Sequence, residues 1–309
     1  MKTVVDAKSI QQLVSVALPV YNSAATLETA IRSILNQSYP EWELLILDDG
    51  SQDETVDIAR SYASPQIRIF SDGAHRGLAA RLNQGIRLSR SKYFARMDAD
   101  DVSYPARLVL QVRYLDEHPD VDLVGGGVLI FGRDGKALGS REIRVAHEEI
   151  CQRPWAGFYL AHPTWMGRIE WFRRFWYRTD AVRCEDQDLL LRSYESSRFA
   201  SLPQIVLGYS EPELTFAKML RGRKSFLRSV AREAAAKRKY SIGLLAFLEQ
   251  CAKAATDCLA VGTGLNYRIL RHRARPVNQT EKDRWAKVWS EVHTSMRPDE
   301  RHSVVVGTP

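Results

Sequence analysis

Between Val14 and Met97, short apolar runs alternate with segments of helical periodicity. Parallel strands need a crossover, usually a helix, to bring the chain back, so this alternation specifies an α/β fold with a mostly parallel sheet. Val14 to Leu18 reads as a buried strand that stops at Pro19. Ala24 to Gln37 then sets Leu27, Ala30, Ile31, Ile34 and Leu35 on one helical face. Trp42 to Leu47 is a second strand, closed by the turn cluster Asp48-Asp49-Gly50-Ser51, and Asp53 caps a helix through Tyr62. Ile67 to Phe70, Gly77 to Ser89 and Tyr93 to Met97 follow as strand, helix and strand.

Farther along, Ser103 and Pro105 read as the cap and first turn of a helix reaching about Glu117. Val121 to Phe131 and Ala137 to Val145 flank Gly132-Arg133-Asp134-Gly135 as a hairpin. The stretch from Trp155 to Tyr177 is rich in aromatic residues. They read either as core packing, which aromatic side chains dominate, or as a stacking platform for an acceptor sugar or lipid. Glu185 to Tyr194 is a short helix, and beyond Ser210 the chain turns helical and basic. Residues 1–210 are therefore expected to form one α/β domain and residues 211–309 a basic helical extension.

Ligands bind such sheets beyond the carboxyl ends of the strands. Three strand ends carry Pro19-Val20-Tyr21-Asn22, Asp48-Asp49-Gly50 and Asp98-Ala99-Asp100-Asp101, so polar and acidic groups converge on one edge. Asp98 and Asp100, two apart at a strand end, can share a divalent ion such as Mg²⁺ or Mn²⁺. They also read as an acidic loop before a helix N-terminus. Asp48 and Asp49 can accept hydrogen bonds from a base or ribose, or serve a plain turn. Glu185-Asp186-x-Asp188 opens a helix and reads as dipole capping or as a general base.

Taken together, VSVALPVYN, LLILDDGSQDET, HRGLAARLNQGI, YFARMDADD, AHPTWMGR and CEDQDLLLR resemble the family 2 glycosyltransferases of the GT-A fold, in order and spacing, over about Ser15 to Tyr209. The resemblance implies a Rossmann-like sheet flanked by helices. It also implies inverting transfer of a sugar from a nucleotide sugar, usually UDP- or GDP-linked, with Mn²⁺ or Mg²⁺ as cofactor. Carried over, Pro19 and Tyr21 line the base pocket, and Asp48 or Asp49 binds the base. Arg76 lies near the nucleotide, Asp98 faces the ribose and the metal, and Asp100 binds the metal. Asp186 is the catalytic base, with His162 and Glu185 on the acceptor side. Leu82-Asn83 and Gly167-Arg168 depart from the residues common at those places.

The net charge of +7 and pI near 9.2 allow nucleic acid, an anionic membrane or a phosphorylated substrate as partner. The excess lies in the extension: nine bases stand against the single acid Glu233 between Lys218 and Lys239, and apolar Leu244, Leu245, Phe247 and Leu248 follow. Arg268, Arg271, His272, Arg273 and Arg275 come next. This pattern reads as a site for an anionic membrane surface or as a solvated helical face. No nucleic-acid motif accompanies the charge.

The four cysteines are scattered, which excludes a disulfide framework and signals no zinc site. His75, His118, His147 and the other histidines show no ligand spacing and read as structural or solvent-facing. The opening residues lack a signal-peptide core, and no window approaches a membrane span. The expected location is cytoplasmic, on the inner face of the cytoplasmic membrane, with a nucleotide-sugar donor and a glycan or lipid-linked acceptor. A sugar nucleotidyltransferase is a second reading, but it needs a glycine-rich basic loop where Pro19 to Asn22 stand. A non-catalytic nucleotide or glycan binder of the same fold is a third.

Overall fold

The computed structural model describes residues 12–210, 216–262 and 275–294. The first half comprises β1 (Val14–Val20), α1 (Leu27–Leu35), β2 (Trp42–Asp48), α2 (Thr55–Ser61), β3 (Ile67–Ser71), α3 (Leu78–Leu88) and β4 (Tyr93–Arg96). Next come β5 (Val102–Ser103), α4 (Arg107–Glu117), β6 (Leu123–Phe131), β7 (Ala137–Ser140), α5 (His147–Ile150) and β8 (Met166–Arg168). α6 (Ile169–Arg174), α7 (Glu185–Ser193) and β9 (Phe199–Ser210) complete the sheet region. Three helices follow: α8 (Phe216–Ala236), α9 (Tyr240–Gly262) and α10 (Gln279–Thr294).

One sheet holds all the strands in the order β3-β2-β1-β4-β8-β6-β9-β5, with β7 paired to β6. β1 to β4, β6 and β9 run one way, and β5, β7 and β8 run against them. The expected mostly parallel α/β sheet is thus present, flanked by helices. Every residue of β2 is buried, as an unbroken apolar run in a central parallel strand requires. Leu27, Ala30, Ile31 and Ile34 of α1 pack with Val14, Val16 and Leu18 in one core layer, while Leu82 and Ile86 of α3 cover the other face with Ala17 and Phe94.

β1 does not stop at Pro19 but continues to Val20. Backbone groups alternate sides along a strand: Ala17 O accepts Met97 N–H beside β4, whereas Val20 O accepts Asp49 N–H beside β2. Pro19 therefore directs its missing N–H toward β4, which has already ended at Arg96, and no ladder bond is lost. Ser103 is not a helix cap. It lies in β5, paired with Leu207, where its hydroxyl accepts a hydrogen bond from Gln37 Nε2. The second arm of the hairpin is shorter than expected, Ala137–Ser140.

β5, β8 and β9 had no counterpart among the sequence expectations. In β9 the register against β6 slips twice: Leu202 faces Gly126, but Ile205 faces Gly127 and Leu207 faces Val128. Pro203 and Gln204 bulge out of the ladder and are exposed, which removes a proline that could not donate to it. The end of β9 returns to the acidic edge, where Ser210 N–H donates to Asp101 Oδ1 at 3.0 Å.

The aromatic stretch is chiefly core: Phe158, Trp165, Trp171, Phe172 and Tyr177 are buried in the layer shared with α3 and α7. Phe226 and Val230 of α8 and Ala246 of α9 join that layer. α10 closes a third cluster, in which Trp285, Val288 and Val292 meet Val102, Tyr104, Leu129 and Phe131. A Cβ added at Gly208 would overlap the Trp285 ring, whose Nε1 donates to Gly135 O at 2.7 Å. Trp285→Ala is expected to lower unfolding stability by about 3–5 kcal/mol through the cavity and the orphaned carbonyl. Chemical denaturation monitored by circular dichroism checks this; a midpoint equal to wild type would show that α10 contributes nothing to the fold.

Candidate active site

At the end of β2, Gly50 has φ +79°, and a Cβ there would meet the backbone of Gly73, Ala74 and His75, each at 3.1 Å. Only glycine allows both the left-handed turn and this approach. The approach brings the 72–77 loop onto Asp49. Asp49 Oδ1 accepts N–H groups of Arg76 (2.7 Å) and Gly77 (3.1 Å) and Nε of Arg81 (3.0 Å), while Oδ2 accepts Gly77 N–H and lies 3.0 Å from His75 Nδ1. Asp49 is thus the anchor of the loop.

Asp48 is also buried, with Oδ1 taking Ser51 N–H at 3.0 Å and Oδ2 taking the Ser71 hydroxyl at 2.6 Å. Burial raises its pKa, but the hydrogen bonds from Ser51 and Ser71 outweigh this and hold the carboxyl below its usual range. Tyr21, 48% exposed, lies against His75 with ring centroids 4.5 Å apart. His75 is solvent-facing, as expected, yet it is also the partner of Tyr21 at this edge. Arg76 is exposed and pairs with Asp72 at 3.1 Å.

Arg81, 1% exposed, joins Asp49, Asp72 (2.7 Å), Gln84 (2.9 Å) and the Ala74 carbonyl. Arg81→Met leaves the Asp49 charge buried without its cation, and about 3–5 kcal/mol of stability should be lost. Urea denaturation measures it, and an unchanged midpoint would contradict the anchoring role. Asn83 is structural: its side chain exchanges two hydrogen bonds with the backbone of Tyr177, at 2.9 and 3.0 Å.

Beyond β4, Asp98 lies half-buried with both oxygens on the Arg96 guanidinium. Asp100 is an exposed residue, but enough protein surrounds its carboxyl that desolvation, then the Asp98 charge, raise its pKa. Asp101 points inward, and burial followed by its two acidic neighbours pushes it far up. Asp101 Oδ2, Arg96 Nε and Arg107 Nη1 are buried without hydrogen-bond partners among the described residues. Among the described residues no three His, Cys, Asp or Glu side chains gather as a metal centre. Asp98 and Asp100 nevertheless supply the hard oxygen donors that Mg²⁺ or Mn²⁺ takes, typically one or two carboxylates completed by substrate phosphates.

A second group of acids lies in the first turn of α7. Its three acids divide. Asp188 is wholly buried between Arg178 (3.3 Å) and Arg192 (2.8 Å) and holds the helix in place. Glu185 and Asp186 make no ion pair among the described residues, and burial raises both pKa values. Gln187 ties this turn together, donating to Asp186 Oδ2 at 3.2 Å and accepting Phe158 N–H at 2.7 Å. His162 Nε2 meets the Tyr177 hydroxyl at 2.9 Å, and burial, then the Arg96 charge, keep its imidazole neutral.

Arg96 connects the two groups. Its charge acts on Asp98, Asp100 and Asp101 of the acidic edge and also on His162, Tyr177, Glu185 and Asp186. The fold therefore brings Asp98 onto the Arg96 guanidinium and Asp100, His162, Glu185 and Asp186 within reach of its charge, with Pro19, Tyr21, Asp48, Asp49 and Arg76 at or beside the ends of β1 and β2. Sequence reading missed Arg96, Arg81, Tyr177 and Gln187. Arg96 ends β4 two residues before Asp98, and a basic residue beside that acidic run is the signal that could have found it.

A basic cleft of about 480 Å³ lies at the start of β4, lined by Ser89, Arg90, Ser91, Lys92, Arg168 and Arg173. Arg168 is committed to the carbonyls of Leu115, His118 and Val121, Lys92 to Asp116, and Arg173 to Glu170. The acidic edge, where Asp100 makes no ion pair among the described residues, is the candidate site together with Glu185 and Asp186.

A sequence model described as Glycosyl transferase family 2 matches residues 15–176, just over half the chain. EpsE of Bacillus subtilis (strain 168), a glycosyltransferase by name, is 38% identical over 188 residues, which cover 59% of this chain and 66% of EpsE. MJ1057 of Methanocaldococcus jannaschii, named an uncharacterized glycosyltransferase, is 26% identical over 65% of this chain and 71% of that protein. The chain thus spans just under two thirds of EpsE. Among solved structures, the mannosyltransferase PcManGT from Pyrobaculum calidifontis, in complex with GDP-Man and Mn²⁺, aligns with TM-score 0.59 at 19% identity over 92% of this chain and 87% of that one. S. aureus TarS 1–349 in complex with UDP-GlcNAc aligns with TM-score 0.58 at 16% identity over 94% and 83%. At these identities the structural likeness establishes the fold.

Proposed function

Because the chain belongs to glycosyl transferase family 2, we propose that it transfers a sugar, with inversion, from a nucleotide sugar to an acceptor hydroxyl in surface polysaccharide or lipid-linked glycan synthesis. A UDP-sugar is the favoured donor. What supports this reading is that the Arg96 charge, which holds Asp98, also acts on Asp100, Glu185 and Asp186, the last two making no ion pair among the described residues. UDP-GlcNAc and GDP-Man complexes of proteins with the same fold support a nucleotide-sugar donor.

In this reading the base stacks on the Tyr21–His75 pair beside Pro19, and Asp48 accepts its N–H. Asp48 is chosen over Asp49 because its oxygens take one hydrogen bond each, from Ser51 N–H and the Ser71 hydroxyl, whereas those of Asp49 take the N–H groups of Arg76 and Gly77, the Arg81 guanidinium and the contact with His75. Arg76 lies near the nucleotide at the loop rim. Asp98 and Asp100 would hold a divalent ion, which would supply Lewis-acid stabilisation of the charge on a departing diphosphate. Asp98 also faces the ribose. Asp186 accepts the proton of the attacking hydroxyl on the far side of the donor, since a carboxylate of raised pKa is the stronger base. Glu185 and the neutral His162, fixed by Tyr177, line the acceptor side. Arg96 balances the acids of both groups.

Residues 1–210 carry this chemistry and residues 211–309 form the extension. No helix among the described residues is long and apolar enough to cross a membrane, and the basic run supports peripheral attachment to the inner face of the cytoplasmic membrane. Thermal-shift assays with UDP-, GDP-, CDP- and dTDP-sugars, with and without Mn²⁺, test the donor. A UDP-sugar at 100 times its Kd should add about 2.7 kcal/mol in the presence of Mn²⁺. Stabilisation by a nucleoside triphosphate and a sugar phosphate, with none by any nucleotide sugar, would favour a nucleotidyltransferase.

A further inference from the structure

An ordinary surface helix buries its apolar stripe and exposes its charges. α9 seats Ile242 and Ala246 on the core but otherwise reverses this. Its inner face carries Ala246 and Gln250, both buried, with half-buried Glu249 and Lys253. Gln250 accepts Arg223 Nη1 at 3.0 Å, Glu249 pairs with Arg153 at 2.6 Å, and Lys253 Nζ donates to Ala156 O at 2.9 Å. The outer face presents Tyr240, Leu244, Phe247 and Leu248, at 69%, 61%, 54% and 56% exposure, with exposed Leu245 and Cys251 beside them. The steps of four, three and one between the first four residues make one continuous stripe. Single exposed leucines are common on protein surfaces, but a contiguous apolar ridge marks an interface.

Charge identifies the occupant. The structure discharges part of the basic run against the sheet domain: Lys237 and Lys239 pair with Glu195, and Arg232 with Asp180. Arg221, Lys224 and Arg228, spaced i, i+3 and i+7 on α8, and Arg238 at the turn into α9 are exposed and make no ion pair among the described residues. A second copy of the chain, docked by two-fold symmetry, would set these cations against one another. An anionic bilayer takes both features at once, with the ridge at the acyl boundary and the cations at the phosphates.

We propose that the outer face of α9 docks the protein on an anionic lipid bilayer, with Arg238 at its start and the exposed cations of α8 supplying the electrostatic attraction. This deepens the peripheral placement given above and rests on the glycosyl-transfer reading for its purpose. The inner face supplies the connection: Arg153 and Ala156, held by Glu249 and Lys253, lead to Phe158, whose N–H is held by Gln187 beside Asp186. A bilayer under α9 is thereby linked to the turn that receives the acceptor, which is consistent with an acceptor hydroxyl borne on a lipid.

Flotation of the full chain with phosphatidylglycerol-containing and pure phosphatidylcholine vesicles, at low and high salt, tests the proposal. Wild type should float with the anionic vesicles. Leu244→Ser/Phe247→Ser/Leu248→Ser should weaken partition by about a hundredfold at either salt. Arg221→Gln/Lys224→Gln/Arg228→Gln should weaken it by a similar factor at low salt and flatten the salt dependence. All six positions are exposed, and an unchanged Mn²⁺-dependent UDP thermal shift in each variant confirms that the site is intact. Wild type that floats with neither vesicle, or an apolar variant that floats like wild type, overturns the proposal. A wild-type dimer by light scattering that the apolar variant loses, without flotation, also overturns it in favour of self-association. Nucleotide binding without flotation refutes only the docking face, whereas flotation without nucleotide binding refutes the catalytic reading.

Discussion

Asp186→Asn is expected to lower kcat by about 10²–10⁴-fold, the usual worth of a positioned general base, while the Mn²⁺-dependent affinity for UDP stays near wild type. The expectation follows from where the carboxyl sits. Asp186 has no cation of its own among the described residues, and Gln187 Nε2 holds one of its oxygens. Asparagine keeps the volume and the hydrogen bond but cannot take a proton. Burial raises the Asp186 pKa, and the base works only when ionised. Wild-type kcat should therefore fall, as pH is lowered, at a pH above the ordinary aspartate value of about 3.9. In Asp186→Asn that limb should vanish. Steady-state rates across pH, with UDP titrations on the same preparations, measure both parts. Normal turnover with weakened UDP binding would move the base elsewhere, and a comparable loss in Glu185→Gln alone would assign the role to its neighbour.

The second large effect is expected at Asp100. Asp100→Ala removes a donor oxygen and should reduce kcat/KM by about 10²–10³-fold, in line with the several kcal/mol a metal contributes to such a transition state. It should also abolish the difference between UDP titrations with and without Mn²⁺. Asp100 is exposed and its neighbour Asp101 carries the buried contact to Ser210, so the fold should survive the change. Circular dichroism and an unchanged unfolding midpoint would establish that. A variant that folds and still shows Mn²⁺-dependent UDP binding would contradict the assignment.

The first half of the sheet was legible because its information is local. Apolar runs and helical stripes between Val14 and Met97 each specify their own element, and carboxylates after β2 and β4 announce the binding edge. β5 and β8, of two and three residues, are too short for periodicity and exist through partners distant in sequence. β9 hides behind Pro203 and Gln204, which only the bulge against β6 explains. At the site, residue type identified the acids but not their division of labour. Asp48 and Asp49 look alike in sequence, yet one anchors a loop and the other ends a strand. Asp188 looks like Asp186 until Arg178 and Arg192 enclose it. Arg96 could not be recognised as the centre because its neighbours come from β4, the 162–177 region and α7. In the extension the charge was legible, but not which bases Glu195 and Asp180 neutralise, nor that the apolar side of α9 faces outward.

The most direct test of the central claim is an anomalous difference map from crystals grown with UDP and Mn²⁺. The account predicts one strong metal peak between the Asp98 and Asp100 carboxylates and the diphosphate, with uracil against Tyr21 and Asp48 and Asp186 facing it across Arg96. Nucleotide in the basic cleft between Ser89 and Arg173, or metal away from Asp100, would contradict it.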